Sequence, residues 1–195
     1  MKTKIIIDND SLVNLTGLEE FNIYNLLRNI FTQILIPTEV KKEYEKCLEK
    51  EPKRRFVLER LRPNEGFWSL CTRYDSYSNV FLFKHKGIDK GEAEIISQSE
   101  KTGEQLIISD DVKFKAACEN LHKNVRIYNT LFVLAILDIH SYLNDSVNVF
   151  KKLYKNRQFK HNDLIEAYNQ ASKELRIQSK KVSVSKKTIK KIIKK

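Results

Sequence analysis

The segments GEAEII at residues 91–96 and LIISDD at residues 106–111 decide the fold class of this chain. The first segment indicates a helix, because Asp89 and Glu92 have the spacing of an N-terminal capping box. The second is a short apolar run, typical of a buried strand, that ends in carboxylates. A helix, a strand and an acidic turn in this order are typical of a parallel α/β sheet, whose ligands bind at the carboxyl ends of the strands.

The same alternation continues through the chain. Helices are predicted between short apolar runs, among them Phe21 to Phe31 and a charged stretch from Thr38, the expected N-cap, to Arg62 with a break at Pro52. Residues 72–87 could be strand or helix. The fold class is therefore α/β with a central parallel sheet, followed by a helical hairpin from Val147 to Leu175. The predicted strands are Lys4–Ile7, Gln33–Ile36, Phe67–Leu70, Leu106–Ile108 and Val125–Ile127.

Length and composition limit the class of protein. The 195 residues suffice for one ordinary domain, and only five Gly and three Pro favour a helix-rich fold over a turn-rich β fold. The apolar run Ile5–Ile7 stops at Asp8, so we expect neither a signal peptide nor a membrane span of about 20 residues. Three cysteines without zinc or CxxC spacing indicate reduced thiols in a cytoplasmic protein.

The positive charge is concentrated at the C-terminus. Residues 172–195 contain ten Lys or Arg and one acid, so this segment carries most of the net charge of +11. Such a polycation favours a polyanionic partner, most simply nucleic acid, although a solvated tail without a specific partner explains the charge equally well. The candidate nucleic-acid-binding residues are Lys180, Lys181, Lys186, Lys187, Lys190 and Lys191.

Acidic residues follow the predicted strands at matching places. Asp8 ends the first strand, Glu43 lies just over one turn into the helix after the second, and Glu92 lies in the first turn of its helix. Asp110 and Asp111 end the strand at 106–108. Oxygen ligands of this kind suit Mg²⁺ or Mn²⁺, which serve phosphodiester hydrolysis by orienting the phosphate and activating water.

Each acid also has a simpler, structural explanation, which the position of that acid alone does not exclude. Asp8 can make an Asx turn, Glu92 can do no more than complete the capping box, and Asp110 or Asp111 can be an N-cap. Glu43 lies beside two lysines and Glu94 reads as one more surface acid. The argument for a site is that acids distant in sequence all fall near the carboxyl ends of strands.

These motifs resemble the PIN domain, a family of metal-dependent nucleases with an α/β/α sandwich. The shared features are an apolar strand ending in Asp8, Val40-x-x-Glu43 after a strand, and Ser109-x-Asp111-x-x-Phe114. Gly91-Glu92-Ala93 before the Asp110-Asp111 pair is similar to one branch of the family. The resemblance covers residues 1–140 well and 141–175 loosely.

The resemblance implies a metal site and an activity. It implies that Asp8, Glu43, Glu92 and Asp111 are catalytic metal ligands for Mg²⁺ or Mn²⁺, with Asp110 competing for the last place and Ser109 orienting substrate or metal. It also implies a nuclease domain at 1–140 and a packed hairpin at 141–175. It says nothing about residues 176–195, which we expect from their charge to form a basic, flexible tail.

The expected function is an endoribonuclease, with RNA favoured over DNA. It could be a VapC-type toxin with an antitoxin-like protein partner, and a homodimer is compatible with the family. The alternative is a non-catalytic nucleic-acid-binding protein that uses its basic tail.

Overall fold

In the part of the chain that the structure describes, six parallel strands form one sheet. The structure is a computed structural model that describes residues 3–48, 55–63, 65–71, 87–104, 106–121, 125–156 and 159–175. The predictions for residues 72–86 and for the tail lysines lie outside these ranges. The strands are β1 (Thr3–Ile7), β2 (Phe31–Pro37), β3 (Arg62–Pro63), β4 (Trp68–Cys71), β5 (Leu106–Ile108) and β6 (Arg126–Tyr128).

Helices alternate with these strands, as the sequence predicts. The order of the strands along the sheet is β3-β4-β2-β1-β5-β6. A short 3₁₀ turn spans Glu19–Phe21. The helices are α1 (Asn9–Thr16), α2 (Ile23–Ile30), α3 (Thr38–Leu48), α4 (Phe56–Arg60), α5 (Lys90–Thr102), α6 (Val112–Leu121), α7 (Thr130–Ile139), α8 (Ser146–Asn156) and α9 (His161–Glu174).

The central strand β1 shows that helices cover both faces of the sheet. Ile5, Ile6 and Ile7 point alternately to opposite faces, yet each is 0% exposed. A parallel strand buried on both faces is a continuous apolar run rather than an alternating one. The predicted three-layer α/β/α sandwich is confirmed.

Three predicted boundaries differ from the structure. The helix expected at Phe21 to Phe31 is split by Asn22, whose φ of 56° is left-handed, and Phe31 pairs with Thr3 in the sheet instead. The helix expected to reach Arg62 ends at Arg60, because the proline that follows Arg62 disfavours helical backbone there. Thr38 does not act as an N-cap, since it is the first residue of α3 and its Oγ1 donates to the Cys71 carbonyl oxygen at 3.1 Å.

The C-terminal helices pack on the apolar helix α7. Its residues from Thr130 to Leu137 are all buried, and both α8 and α9 contact it. No helix in the described ranges combines the length and apolar character required to cross a bilayer.

The strand order places the acidic turns side by side. The Asp8 amide donates to the Ile108 carbonyl oxygen at 2.9 Å, and the Ser109 amide donates to the Tyr128 carbonyl oxygen at 2.9 Å. Hydrogen bonds therefore join the ends of β1, β5 and β6. The residues that follow these strands lie at one edge of the sheet.

Candidate active site

Asp8 links the ends of two neighbouring strands. It follows β1 and caps α1, where its Oδ1 accepts a hydrogen bond from the Asn9 amide at 2.7 Å. Its Oδ2 accepts from the Ser109 hydroxyl at 2.9 Å, across 101 residues of sequence. The side chain is buried, and its two oxygens have different partners. Asp8 can therefore cap α1 and also belong to a metal site.

Glu43 reaches the same region from α3. A Cβ built on Gly91 would lie only 2.9 Å from the Glu43 Oε1, so glycine at this position lets the carboxylate lie against the first turn of α5. The pKa of Glu43 is raised to about 7, mainly by burial and also by the charges of Asp89 and Asp8. The solvated-helix explanation does not fit this partly buried side chain.

Glu92 is the buried acid of the capping box. Its amide donates to the Asp89 Oδ1 at 2.8 Å, and its own Oε2 accepts from the Asp89 amide at 2.9 Å, so the predicted capping box is confirmed. The pKa of Glu92 is raised to about 7, mainly by burial and also by repulsion from Asp89, Asp111 and Asp8. The capping residue therefore also belongs to the group of acids.

Asp111 and Asp110 have different surroundings although they are adjacent. The Asp111 amide donates to the Ser109 hydroxyl oxygen at 3.1 Å. The Asp111 Oδ1 accepts from the Lys113 and Phe114 amides, at 2.6 and 2.9 Å, and so caps the start of α6. Ser109 thus lies between Asp8 and Asp111 and contacts both.

Asp110 turns towards donors. Its Oδ1 accepts from the Thr130 amide at 2.7 Å, and its Oδ2 accepts from the Thr130 hydroxyl at 2.6 Å and from the Asn14 amide group at 2.5 Å. We call these three residues the Asp110 network. It ties the turn after β5 to α1 and α7.

We call Asp8, Glu43, Glu92 and Asp111 the acid group. Burial is the largest cause of the raised pKa of Asp8, about 6, and the charges of Asp10 and Asp89 raise it further. Lys46 lowers the pKa of Glu43 but is the smallest of its causes. Buried carboxylates near other carboxylates are costly unless a proton or a cation joins them.

The donor chemistry of the acid group fits a divalent cation, since carboxylate oxygens are the ligands that Mg²⁺ and Mn²⁺ prefer. Among the described residues, no group of three His, Cys, Asp or Glu side chains already has an arrangement that could hold a metal ion. The Glu92 Oε2 and the Asp111 Oδ1 are each turned towards backbone amides.

Glu94, expected to be a surface acid, is buried, and that expectation is wrong. Its Oε2 accepts from the Glu39 amide at 2.6 Å at the start of α3. Glu94 therefore supplies the cap that Thr38 does not. The sequence contains no local signal for this role, because the Glu39 amide is 55 residues away along the chain.

Sequence reasoning also missed Asn14 and Thr130 as partners of Asp110. A signal was available for Asn14, which lies among the apolar residues of α1 and is buried there. A buried polar side chain requires a hydrogen-bond partner. The residue that supplies it is 96 positions away, so its identity could not be read locally.

The fold and the acid group define a parallel α/β protein with a carboxylate site at the carboxyl edge of its sheet. A family model described as a PIN domain matches residues 4–174. The chain belongs to the PIN-domain family, whose members are generally nucleases that use divalent metals such as Mg²⁺ or Mn²⁺. No curated protein and no solved structure matched the chain.

Proposed function

We propose that this chain is a Mg²⁺- or Mn²⁺-dependent endoribonuclease whose metal ligands are the acid group. The observation that supports it is that carboxylates from separate elements lie together. The Ser109 hydroxyl joins Asp8 to the Asp111 amide, and the Glu43 carboxylate lies against Gly91, next to Glu92. Asp8, Glu43 and Glu92 come from three elements, and each has its pKa raised by the charge of another acid in this region. A cation between them would relieve the repulsion that burial strengthens.

The bound ion would orient the scissile phosphate and lower the pKa of an attacking water. The chain itself holds the ligands in place. The Ser109 hydroxyl donates to Asp8 and accepts from the Asp111 amide, so it fixes the spacing of two ligands. The Asp89 amide holds Glu92, and the start of α6 holds Asp111.

The Asp110 network supports Asp111 rather than Asp110 as the fourth ligand. Asp110 accepts three hydrogen bonds that occupy both of its carboxylate oxygens. The two amide hydrogen bonds to the Asp111 carboxylate both fall on its Oδ1, and the charge of Asp111 raises the pKa of Glu92. A carboxylate already satisfied by three donors gains less from a cation.

Metal-dependent cleavage of RNA tests the proposal. Purified wild-type protein with Mn²⁺ should cut single-stranded RNA, EDTA should stop the reaction, and Asp8→Asn should reduce the rate at least about 100-fold. Glu45→Gln is the control, because Glu45 is exposed on α3 and pairs with Lys41. Equal cleavage by wild type and Asp8→Asn contradicts the proposal, and faster cleavage of DNA contradicts the RNA preference.

The basic tail supports nucleic acid as the substrate class. Tail lysines that neutralise phosphates would make binding depend steeply on salt. Deleting residues 177–195 should weaken RNA binding and flatten the salt dependence. An unchanged slope contradicts a role of the tail in binding. The alternative function, binding without catalysis, requires salt-dependent binding that neither EDTA nor Asp8→Asn alters.

The same nuclease could act as a toxin in the cytoplasm, where an antitoxin-like protein would cover the acid group and inhibit it. Co-purification of a small partner encoded next to this chain would support that role. Homodimerisation of the purified chain is tested by sedimentation.

A further inference from the structure

Lys46 is an exposed lysine on α3, one turn after Glu43. Its charge lowers the pKa of Glu43, so its ammonium group is close enough to act on that carboxylate. We propose that Lys46 binds a phosphate of the nucleic-acid strand and holds that strand at the acid group. The inference rests on the proposed function, because it places the strand at the acid group.

The side of α3 that carries Lys46 borders the acid group. Residues three and four positions apart lie on one side of a helix, so Lys46 and Cys47 share a side with Glu43. The Glu43 carboxylate lies against Gly91 at the start of α5. The Cys47 Sγ lies 4.0 Å from the Asn9 Nδ2 at the start of α1. Members of the acid group lie at the starts of both helices, so this side of α3 places Lys46 at the border of the group.

The ammonium group of Lys46 makes no ion pair within the described part of the chain. Two other lysines at the starts of α3 and α5 are already paired. Lys42 and Lys90 both contact Glu39, at 2.7 and 3.1 Å between Nζ and Oε1. A phosphate can therefore approach Lys46 without replacing a carboxylate.

The charge of the acid group explains why a lysine is needed at its border. The carboxylates outnumber the charges of one divalent ion, and a phosphodiester adds a further negative charge that they repel. The lysine ammonium is a point charge on a flexible stem and a common phosphate ligand in proteins. At Lys46 it offsets part of this repulsion and leaves Glu43, with which it is not paired, available to ligate the metal ion.

Single-turnover cleavage of single-stranded RNA with Mn²⁺ tests the inference on the full chain. Rates at increasing protein concentration separate the half-saturating concentration, which reports binding of the strand, from the maximal rate. Lys46→Gln should raise the half-saturating concentration about tenfold, as the loss of one charged hydrogen bond implies. The maximal rate should stay within about threefold of wild type, because the lysine contacts the phosphate before and during cleavage alike.

Lys41→Gln is the matched control. It removes the same charge from the same helix, but Lys41 lies about 200° around the helix from Glu43 and pairs with Glu45. This variant should change the half-saturating concentration by less than about twofold. Lys46→Arg keeps the charge and should stay within about threefold of wild type.

Calorimetry of Mn²⁺ without RNA gives a second measurement, with the opposite sign. Lys46→Gln should bind Mn²⁺ about twofold more tightly than wild type, because a neighbouring positive charge repels the ion. A purely structural role of Lys46 would instead weaken the binding of both RNA and Mn²⁺ when the side chain is changed.

The outcomes separate this inference from the proposed function. Equal half-saturating concentrations for Lys46→Gln and Lys41→Gln, or weaker Mn²⁺ binding by Lys46→Gln, overturn the role of Lys46 while wild-type cleavage keeps the nuclease. Wild type that binds RNA without cutting it rejects the nuclease. Fluorescence anisotropy with Mn²⁺ then replaces the rates, and a tenfold loss of RNA affinity in Lys46→Gln but not in Lys41→Gln keeps the inference, whereas equal affinities overturn it.

Discussion

The Asp110 network and the acid group lie side by side, yet the carboxylates in them have opposite surroundings. Asp110 is surrounded by three donors from Thr130 and Asn14. Glu92 is surrounded by other acids, which raise its pKa. A carboxylate that meets donors stabilises the fold, while carboxylates that meet one another destabilise it unless they bind a cation. Adjacent residues can therefore serve structure and chemistry separately.

The largest expected effect separates the two aspartates by activity. Asp111→Asn should lower Mn²⁺-dependent RNA cleavage at least about 100-fold, because it removes a charged metal ligand, and should leave the melting temperature nearly unchanged, because Asn also caps helices. Asp110→Asn, assayed at a temperature at which it is folded, should stay within about tenfold of wild type. The reverse order of the two variants would show that Asp110 is the ligand.

Loss of the Asp110 side chain should lower the stability of the fold more than loss of the Asp111 side chain, which is the reverse of the order expected for activity. Asp110→Ala leaves the Thr130 amide, the Thr130 hydroxyl and the Asn14 amide group without their acceptor, which costs about 2–4 kcal/mol. The melting temperature should fall by roughly 5–15 °C. Asp111→Ala loses a helix cap worth about 1 kcal/mol. Equal losses in urea unfolding of the two variants would contradict the division of roles.

The pH dependence of stability sharpens the comparison further. The folded-state pKa values of Asp8 (about 6), Glu43 and Glu92 (both about 7) exceed the ordinary values of 3.8 and 4.5. Between these limits the folded chain binds more protons than the unfolded chain. Its metal-free unfolding free energy should therefore fall as the pH rises from about 5 to 8. The loss should be at least about 1.4 kcal/mol, the equivalent of one pKa unit.

Urea unfolding in EDTA across this range measures the loss. Glu43→Gln with Glu92→Gln should flatten the profile, and saturating Mn²⁺ should flatten that of the wild type, because the ion replaces the protons. A wild-type stability that rises with pH in EDTA would show that the acid group carries no repulsion.

The smallest expected effect concerns Gly91. A methyl group there lies 2.9 Å from the Glu43 Oε1, so Gly91→Ala should move Glu43 and weaken Mn²⁺ binding by a few fold. Stability should change little, because Ala gains up to about 1 kcal/mol of helix propensity. Calorimetry on a Glu43→Ala background provides the control. If Gly91→Ala weakens binding there as much as in the wild type, it does not act through Glu43.

The sequence predicts those features that depend on local pattern. The apolar runs that end at Asp8 and Ser109 mark buried parallel strands, and the capping box at Asp89 marks the start of α5. The two-residue strand Arg62–Pro63 was not predicted, because it is too short to show a period and is defined only by its pairing with β4. The boundary at Phe31 was misplaced because pairing with Thr3 outweighs a helical pattern.

The candidate site was predictable in part for the same reason. Asp8, Glu43, Glu92 and the Asp110–Asp111 pair stand near strand ends and helix starts in the sequence, and the resemblance to the PIN domain implies that Asp8, Glu43, Glu92 and Asp111 are the ligands. The roles of Glu94 and Asp110 depend on partners 55 and 20 residues away, respectively, which only the folded chain identifies. Residue type alone does not distinguish a carboxylate that meets amides from one that meets other carboxylates.

Anomalous diffraction from a crystal soaked in Mn²⁺ tests the central claim most directly. We expect one peak or more within coordination distance of Asp8, Glu92 and Asp111, with Glu43 beside it and Asp110 still bound to Thr130. A peak held by Asp110, or soaked crystals in which no ion lies among these carboxylates, would contradict the account.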